Sequence, residues 1–183
     1  IYSFCWAVSD DLKKSYVEKY FPIDEIMLMT HSDDDDISLL ALNNLNNFIC
    51  DKYPNVTEFL LKGGFDYALE VMESGSTRCK IEAGFLIITA FEFITDDMME
   101  SYVNDNMISS LCEICMIESS DISELTIRIL QFFCKILTNF SWIISVFDEI
   151  DFINEMQSFE NSDLFDIISE LDNEVQQIIH QQV

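Results

Sequence analysis

Basic residues are scarce. The 183-residue chain carries nine Lys and Arg against 34 Asp and Glu, a formal net charge of −25. A surface of that sign repels phosphate, which argues against nucleic acid and anionic lipid membranes as direct partners and makes a basic protein segment the natural complement. The imbalance grows along the chain: no Lys or Arg follows Lys135, while ten acids do, from Asp148 to Glu174. A plainer reading stays open, in which the acid only keeps an apolar protein in solution.

Turn formers are equally few. Four Gly and two Pro suit long helices joined by short turns better than many short strands, which need a turn every 8–12 residues or so. With 49% hydrophobic and 13% aromatic residues, the chain has material for a sizeable core and is not composed like a disordered segment. No apolar run reaches about 18 residues, so no membrane span is expected. The opening IYSFCWAV lacks a basic segment and runs into Ser9-Asp10-Asp11, unlike a secretory signal. The six cysteines do not form the framework of a small secreted domain, because Cys79, Cys112, Cys115 and Cys134 sit among apolar residues, where the thiol packs as a small hydrophobe. The sequons at Asn55 and Asn139 would matter only in a secreted protein. A reducing intracellular compartment, cytoplasm or nucleus, is expected.

Catalytic chemistry is also thinly supplied. Two His, His31 and His180, leave little general-base capacity near neutral pH. No nucleophile, His and acid share a recognisable motif, and no glycine-rich phosphate loop occurs. Cys112 and Cys115 form a CxxC, but no second pair completes a zinc site and apolar neighbours flank both, so they read as core. The run HSDDDDIS, His31 to Ser38, lacks the Gly and Glu that a calcium loop needs, with Ser38 and Asn44 at those places. It reads as a solvated turn with Asp36 as helix N-cap. The expectation is a protein that is not an enzyme, with no catalytic residue, no cofactor and no metal.

What is present is a period. The tripeptide SYV stands at 15–17 and again at 101–103, 86 positions on and so twice 43, with Phe59 in register halfway between. Four columns continue it: Ile26, Leu69, Leu111, Met156; Met29, Met72, Ile114, Phe159; Leu45, Ile87, Leu130, Val175; and Ala41, Ala83, Thr126, Leu171. Their gaps are 42 to 45 residues, and neighbouring columns place the small insertions together. Internal agreement of this kind marks a repeat architecture. Each unit reads as a short helix, such as Val56 to Lys62, a medium one, such as Phe65 to Glu73, and a long one, such as Thr77 to Ile94. The other long helices are expected at Ile37 to Lys52, Ser123 to Asn139 and Asp163 to Gln181. Gly63 and Gly64 end a short helix and turn the chain into the next, where a left-handed residue is needed. Asn106, in the equivalent place, is expected to tolerate that conformation.

A unit of about 42 residues with short, medium and long helices resembles the armadillo repeat. LLKGGFDYALEVMES resembles that family's glycine bend and second helix, and ALNNLNNF, Ala41 to Phe48, the start of its third. The nearest alternative is the two-helix HEAT repeat. The resemblance covers about Lys13 to Gln182 and implies an all-α, right-handed superhelix, an armadillo-like solenoid of three to four three-helix repeats. It divides a single domain, 1–183, into a partial leading repeat 1–12, repeats at about 13–55, 56–98 and 99–143, and a capping repeat 144–183. Relatives of the importin-α type bind proteins in a concave groove lined by Trp and Asn on each third helix, four residues apart. Here the Trp column holds Asn43, Phe85, Arg128 and Asn173, and the Asn column Asn47, Thr89, Phe132 and Gln177. Only Asn47 keeps the family residue, so the aromatic–amide ladder is absent. The same eight positions remain the candidate concave face, with Phe85 and Arg128 as anchors, although an aromatic at helical spacing is also consistent with core.

The implied function is a non-catalytic scaffold or adaptor that holds a partner segment along the concave face. Two alternatives stay open: a structural subunit of a large assembly, and an acidic carrier or chaperone for basic proteins of the histone or ribosomal type. At the far end, Glu170, Asp172 and Glu174 replace the apolar Leu125, Ile127 and Ile129 of the preceding unit. Ile167, Ile168, Leu171, Val175, Ile178 and Ile179 leave one apolar stripe, the pattern of an amphipathic cap. The opening IYSFCWAV falls where the end of a preceding third helix would fall. The chain is therefore expected to belong to a longer protein or larger complex, with Phe4, Trp6 and Val8 covered by material outside it or exposed. An N-terminal cap helix is the rival account.

Overall fold

The structure, a computed structural model, describes residues 23–50, 53–117, 123–158 and 162–181. Phe4, Trp6 and Val8 lie outside the described residues. Among the described residues every regular element is an α-helix, eleven in all. In order they are α1 (Ile23–Met29), α2 (Asp35–Ile49), α3 (Tyr53–Leu61), α4 (Gly64–Ser74), α5 (Thr77–Phe93), α6 (Asp96–Met99), α7 (Asp105–Cys115), α8 (Ser123–Leu137), α9 (Ile143–Glu149), α10 (Phe152–Ser158) and α11 (Ser162–Gln181). From α3 onward each long helix follows two shorter ones, as the period requires. The chain forms two compact units, one ending at Met99 and the other beginning at Glu100.

In the first unit α5 lies against α2, α3 and α4, while α1 packs on α2 and α4. The run of buried residues on α5 is nearly continuous from Ala83 to Phe91, broken only at half-buried Phe85. A helix apolar almost all round must have neighbours on more than one side. Leu42, Leu45 and Ile49 of α2, Phe59 of α3 and Phe65 and Met72 of α4 supply the cover. Phe65 meets Phe91 edge-on, with ring centroids 5.9 Å apart, a favoured aromatic geometry. Polar ties fix the rim: Lys62 Nζ donates to Asp24 Oδ2 at 2.7 Å, and His31 Nε2 lies 2.8 Å from Glu70 Oε2.

In the second unit α8 rests on α7 and α11, α9 on α7 and α10, and α10 on α11. Phe133, Phe147 and Phe152, all fully buried, pack as a trio with centroid separations of 5.1, 5.8 and 5.0 Å. Leu164, Ile168, Leu171 and Val175 form the buried stripe of α11, whereas Glu170 and Asn173 face solvent.

Two local expectations are corrected. Asp34, not Asp36, is the N-cap of α2: its carboxylate accepts from Asp36 N–H at 3.0 Å, and the helix starts at Asp35. An extended φ,ψ at Asp34 lets the side chain reach the second helical amide. Asn106 is helical; the cap there is Asn104, whose side chain accepts from Met107 N–H at 3.0 Å. Among the described residues the left-handed non-glycine residue is Asp151, with φ of 54°, at the equivalent turn between α9 and α10. Asp is among the few L-residues that enter this region readily, because its short polar side chain bonds locally. Here Asp151 Oδ1 accepts from Asn154 Nδ2 at 2.6 Å.

The glycine pair divides its work. Gly63 takes the left-handed turn, with φ of 78°. Gly64 is the first residue of α4, with ordinary φ, and is needed for space. A Cβ there would clash with the Phe59 ring and stand 2.7 Å from Phe59 O. Gly63→Ala should therefore cost about 1 kcal/mol, and Gly64→Ala about 1–3 kcal/mol, because the buried Phe59 must move. Urea unfolding of the two variants against wild type measures both, and Gly63→Asn should be milder than Gly63→Ala.

Candidate protein-binding faces

The eight positions named from the sequence lie on the long helices: Asn43 and Asn47 on α2, Phe85 and Thr89 on α5, Arg128 and Phe132 on α8, Asn173 and Gln177 on α11. The four-residue step puts each pair on one helix face. The first two pairs belong to the first unit and the last two to the second.

Exposure differs along the set. Asn173 and Gln177 are exposed, and Asn43, Asn47, Phe85 and Arg128 are half-buried. Thr89 and Phe132 are covered, at 5% and 8%. Phe132 leans on Phe133, with ring centroids 6.1 Å apart. The amides on α2 turn back on their own helix: Asn43 Nδ2 donates to Leu39 O at 3.0 Å and Asn47 Nδ2 to Asn43 O at 2.7 Å. One N–H of each amide is thus engaged. Beside them Asn46 Nδ2 crosses to Glu82 O on α5 at 3.2 Å, while Asn46 Oδ1 is buried with no hydrogen-bond partner. Burial raises the Glu82 carboxyl above its ordinary value.

Sequence reasoning missed a groove in the second unit. It opens between α9, α10 and α11 with a volume of about 310 Å³. Phe147, Ile153, Val175 and Ile179 form its apolar lining and Asp148, Asp151 and Asp172 its carboxylates. Gln157 Nε2 donates to Asp172 Oδ2 at 3.1 Å, linking α10 to α11 across it. The cation-free stretch after Lys135 was the available signal, although no contiguous motif marked the place.

Three thiols are placed as core, while Cys134 is half-buried and Cys50 exposed. Cys79, Cys112 and Cys115 are buried. Burial, then the neighbouring Cys115 thiol and Glu113, hold Cys112 well above the ordinary thiol range. Burial alone raises Cys115. Cys134 is pushed up to about 11 by burial and by Glu170 and Glu174, against a lowering backbone hydrogen bond. Among the described residues no three His, Cys, Asp or Glu side chains gather as a metal-ligand set. No helix among them is long and apolar enough to cross a membrane.

The sequence matches no protein-family profile and no curated protein. Among solved structures it is similar to an engineered protein whose crystal structure was determined as a Northeast Structural Genomics Consortium target, with a TM-score of 0.64 and 12% sequence identity. The match covers 84% of this chain, which spans 62% of that one. At that identity the likeness is one of fold alone.

A raised thiol pKa sets a direction with pH. The folded state holds the Cys134 proton more tightly than the unfolded chain, so its contribution is complete below the ordinary thiol value, near 8.5–9, and is lost as pH rises toward about 11. Cys134→Ser should flatten the fall in stability over that window in chemical denaturation. Under native conditions at pH 8, a thiol reagent should label exposed Cys50 first among the cysteines of the described residues and reach Cys112 and Cys115 only through unfolding, resolved by mass spectrometry of the labelled peptides.

Proposed function

We propose that the chain is a non-catalytic protein-binding scaffold or adaptor, an armadillo-like solenoid whose long helices present a partner surface. The observation that carries this reading is the recurrence of two shorter helices followed by a long one at the spacing of the sequence period. Stacked helical repeats that bury a shared core bring equivalent positions of successive long helices into one column. Asn43, Phe85, Arg128 and Asn173 form such a column in the sequence, with Asn47, Thr89, Phe132 and Gln177 beside it. Aromatic and Arg side chains dominate binding hot spots, so Phe85 and half-exposed Arg128 are the anchors.

A second reading, a carrier for basic proteins, is favoured by the carboxylate-lined groove beside α11. Salt separates the two, because binding driven by charge weakens steeply as ionic strength rises.

The double variant Phe85→Ala, Arg128→Ala should lose most partner capture from the native source, at least tenfold, while its stability stays within about 2 kcal/mol of wild type. Retained proteins are compared by quantitative mass spectrometry, and stability by urea unfolding. Loss of the fold without a separate loss of binding would make these residues core and overturn the assignment.

A further inference from the structure

The groove between α9, α10 and α11 has a floor and a rim of different chemistry. The floor is apolar: Phe147 and Val175 are buried, Ile153 is half-buried, and Ile179 stands 37% exposed. The rim carries Asp148 and Asp151, both exposed, and half-buried Asp172. Two of these carboxylates are held in place. Asp151 Oδ1 accepts from Asn154 Nδ2 at 2.6 Å, and Asp172 Oδ2 from Gln157 Nε2 at 3.1 Å. A carboxylate has two oxygens and about four acceptor sites, so one such bond orients it without exhausting it.

The Gln157–Asp172 bond also bounds the groove. The lining residues of α11, from Asp172 through Val175 and Gln176 to Ile179, run from it toward the end of that helix. Ser162, where α11 begins, lies ten residues, about 15 Å, in the other direction. The chain therefore enters α11 beyond that bond and not over the groove.

Three features select the occupant. The carboxylates do not form a metal-ligand set; they surround an apolar floor, which suits a cation on a hydrocarbon stem. The volume of about 310 Å³ is at the small end for ligand pockets and fits a side chain better than a large molecule. No Lys or Arg lines the groove or follows Lys135, so this segment supplies no counter-charge and a cationic group from a partner complements it. Arginine suits the site better than lysine. Its planar guanidinium pairs two hydrogen bonds with a carboxylate, is weakly hydrated and stacks on aromatic faces.

We propose that the groove holds an arginine side chain from a basic segment of a partner protein, its stem against Phe147, Val175 and Ile179 and its guanidinium among Asp148, Asp151 and Asp172. The inference rests on the second reading above, a carrier for basic proteins, and names the side chain and the place through which that reading acts.

The probes are fluorescently labelled hexapeptides of Ala alternating with Arg, Lys or citrulline, the neutral isostere of Arg. Anisotropy is read against the full chain at physiological salt. The Arg peptide should bind, the Lys peptide at least threefold more weakly, and the citrulline peptide not measurably. Asp148→Asn and Asp172→Asn should each weaken the Arg peptide at least fivefold, and Ile179→Ser at least threefold. Glu124→Gln removes the same charge at an exposed position of α8 outside the groove and should weaken it less than twofold. If neither basic peptide binds wild type, the carrier reading and this inference fall together. If both bind but the groove variants weaken them no more than Glu124→Gln does, the carrier reading stands and this inference falls. Equal binding of the Lys or the citrulline peptide would also overturn it. A fall of ~3 °C or more in the Tm of the unliganded chain on Asp148→Asn would show that a cation of the chain itself already pairs there. Sedimentation revealing a dimer that Asp148→Asn dissolves would assign the groove to a second copy. Either result overturns the proposal.

Discussion

Helix α5 is apolar around almost its whole circumference, and the first unit is organised by the need to cover it. Burying a Leu, Ile or Phe side chain is worth roughly 1.5–3 kcal/mol, and Leu86, Ile87, Ile88 and Phe91 are all buried on this one helix. No single neighbour can shield both sides of a helix, so α2 and α4 must flank it. That requirement sets the turn geometry upstream. The chain leaves α3 and enters α4 through left-handed Gly63, and Gly64 lets Phe59 approach the α4 backbone closely enough to seal the space beneath. Small residues on α5 itself, Ala83, Gly84 and Ala90, are buried as well, which allows neighbouring helices to come near its axis.

The second unit solves a similar problem with aromatic rings. Phe133 is the hub, touching Phe147 and Phe152 from two successive short helices while they touch each other. The left-handed Asp151 lies directly before Phe152, so the backbone reversal and the ring placement are one arrangement. Helix α11 buries a single apolar stripe and turns the rest of its surface, mostly polar but including Phe165, to solvent, in contrast to α5.

Much of the fold was legible because periodicity survives where side chains diverge. Met72 and Ile114 differ in chemistry, yet both are buried at corresponding places. The glycine bend was legible in position, but only contact with Phe59 distinguishes the conformational glycine from the steric one. The α2 cap was misplaced because four successive Asp offer equivalent caps in sequence, and only the backbone angles select Asp34. Asp151 was missed because an acid can occupy a glycine's conformation without any sequence mark. The proposed binding column mixes exposed amides with covered Thr89 and Phe132, a difference that spacing alone cannot express. The groove beside α11 was illegible for another reason: its lining residues are scattered over three successive helices and form no contiguous motif.

Beyond Lys135 the chain is polyanionic with no internal counterion from Lys or Arg. Asp148, Asp151 and Asp172 line one groove, and like charges gathered there are only partly screened by physiological salt. Folding this segment concentrates like charge, so part of its stability resides in the surrounding ionic atmosphere rather than in its contacts. Ionic strength thus becomes a structural variable: dilute buffer strains this segment, and added salt relaxes it. A polycation laid there would act as a localised, non-diffusing salt. Association and consolidation of α11 would then be thermodynamically linked, each strengthening the other.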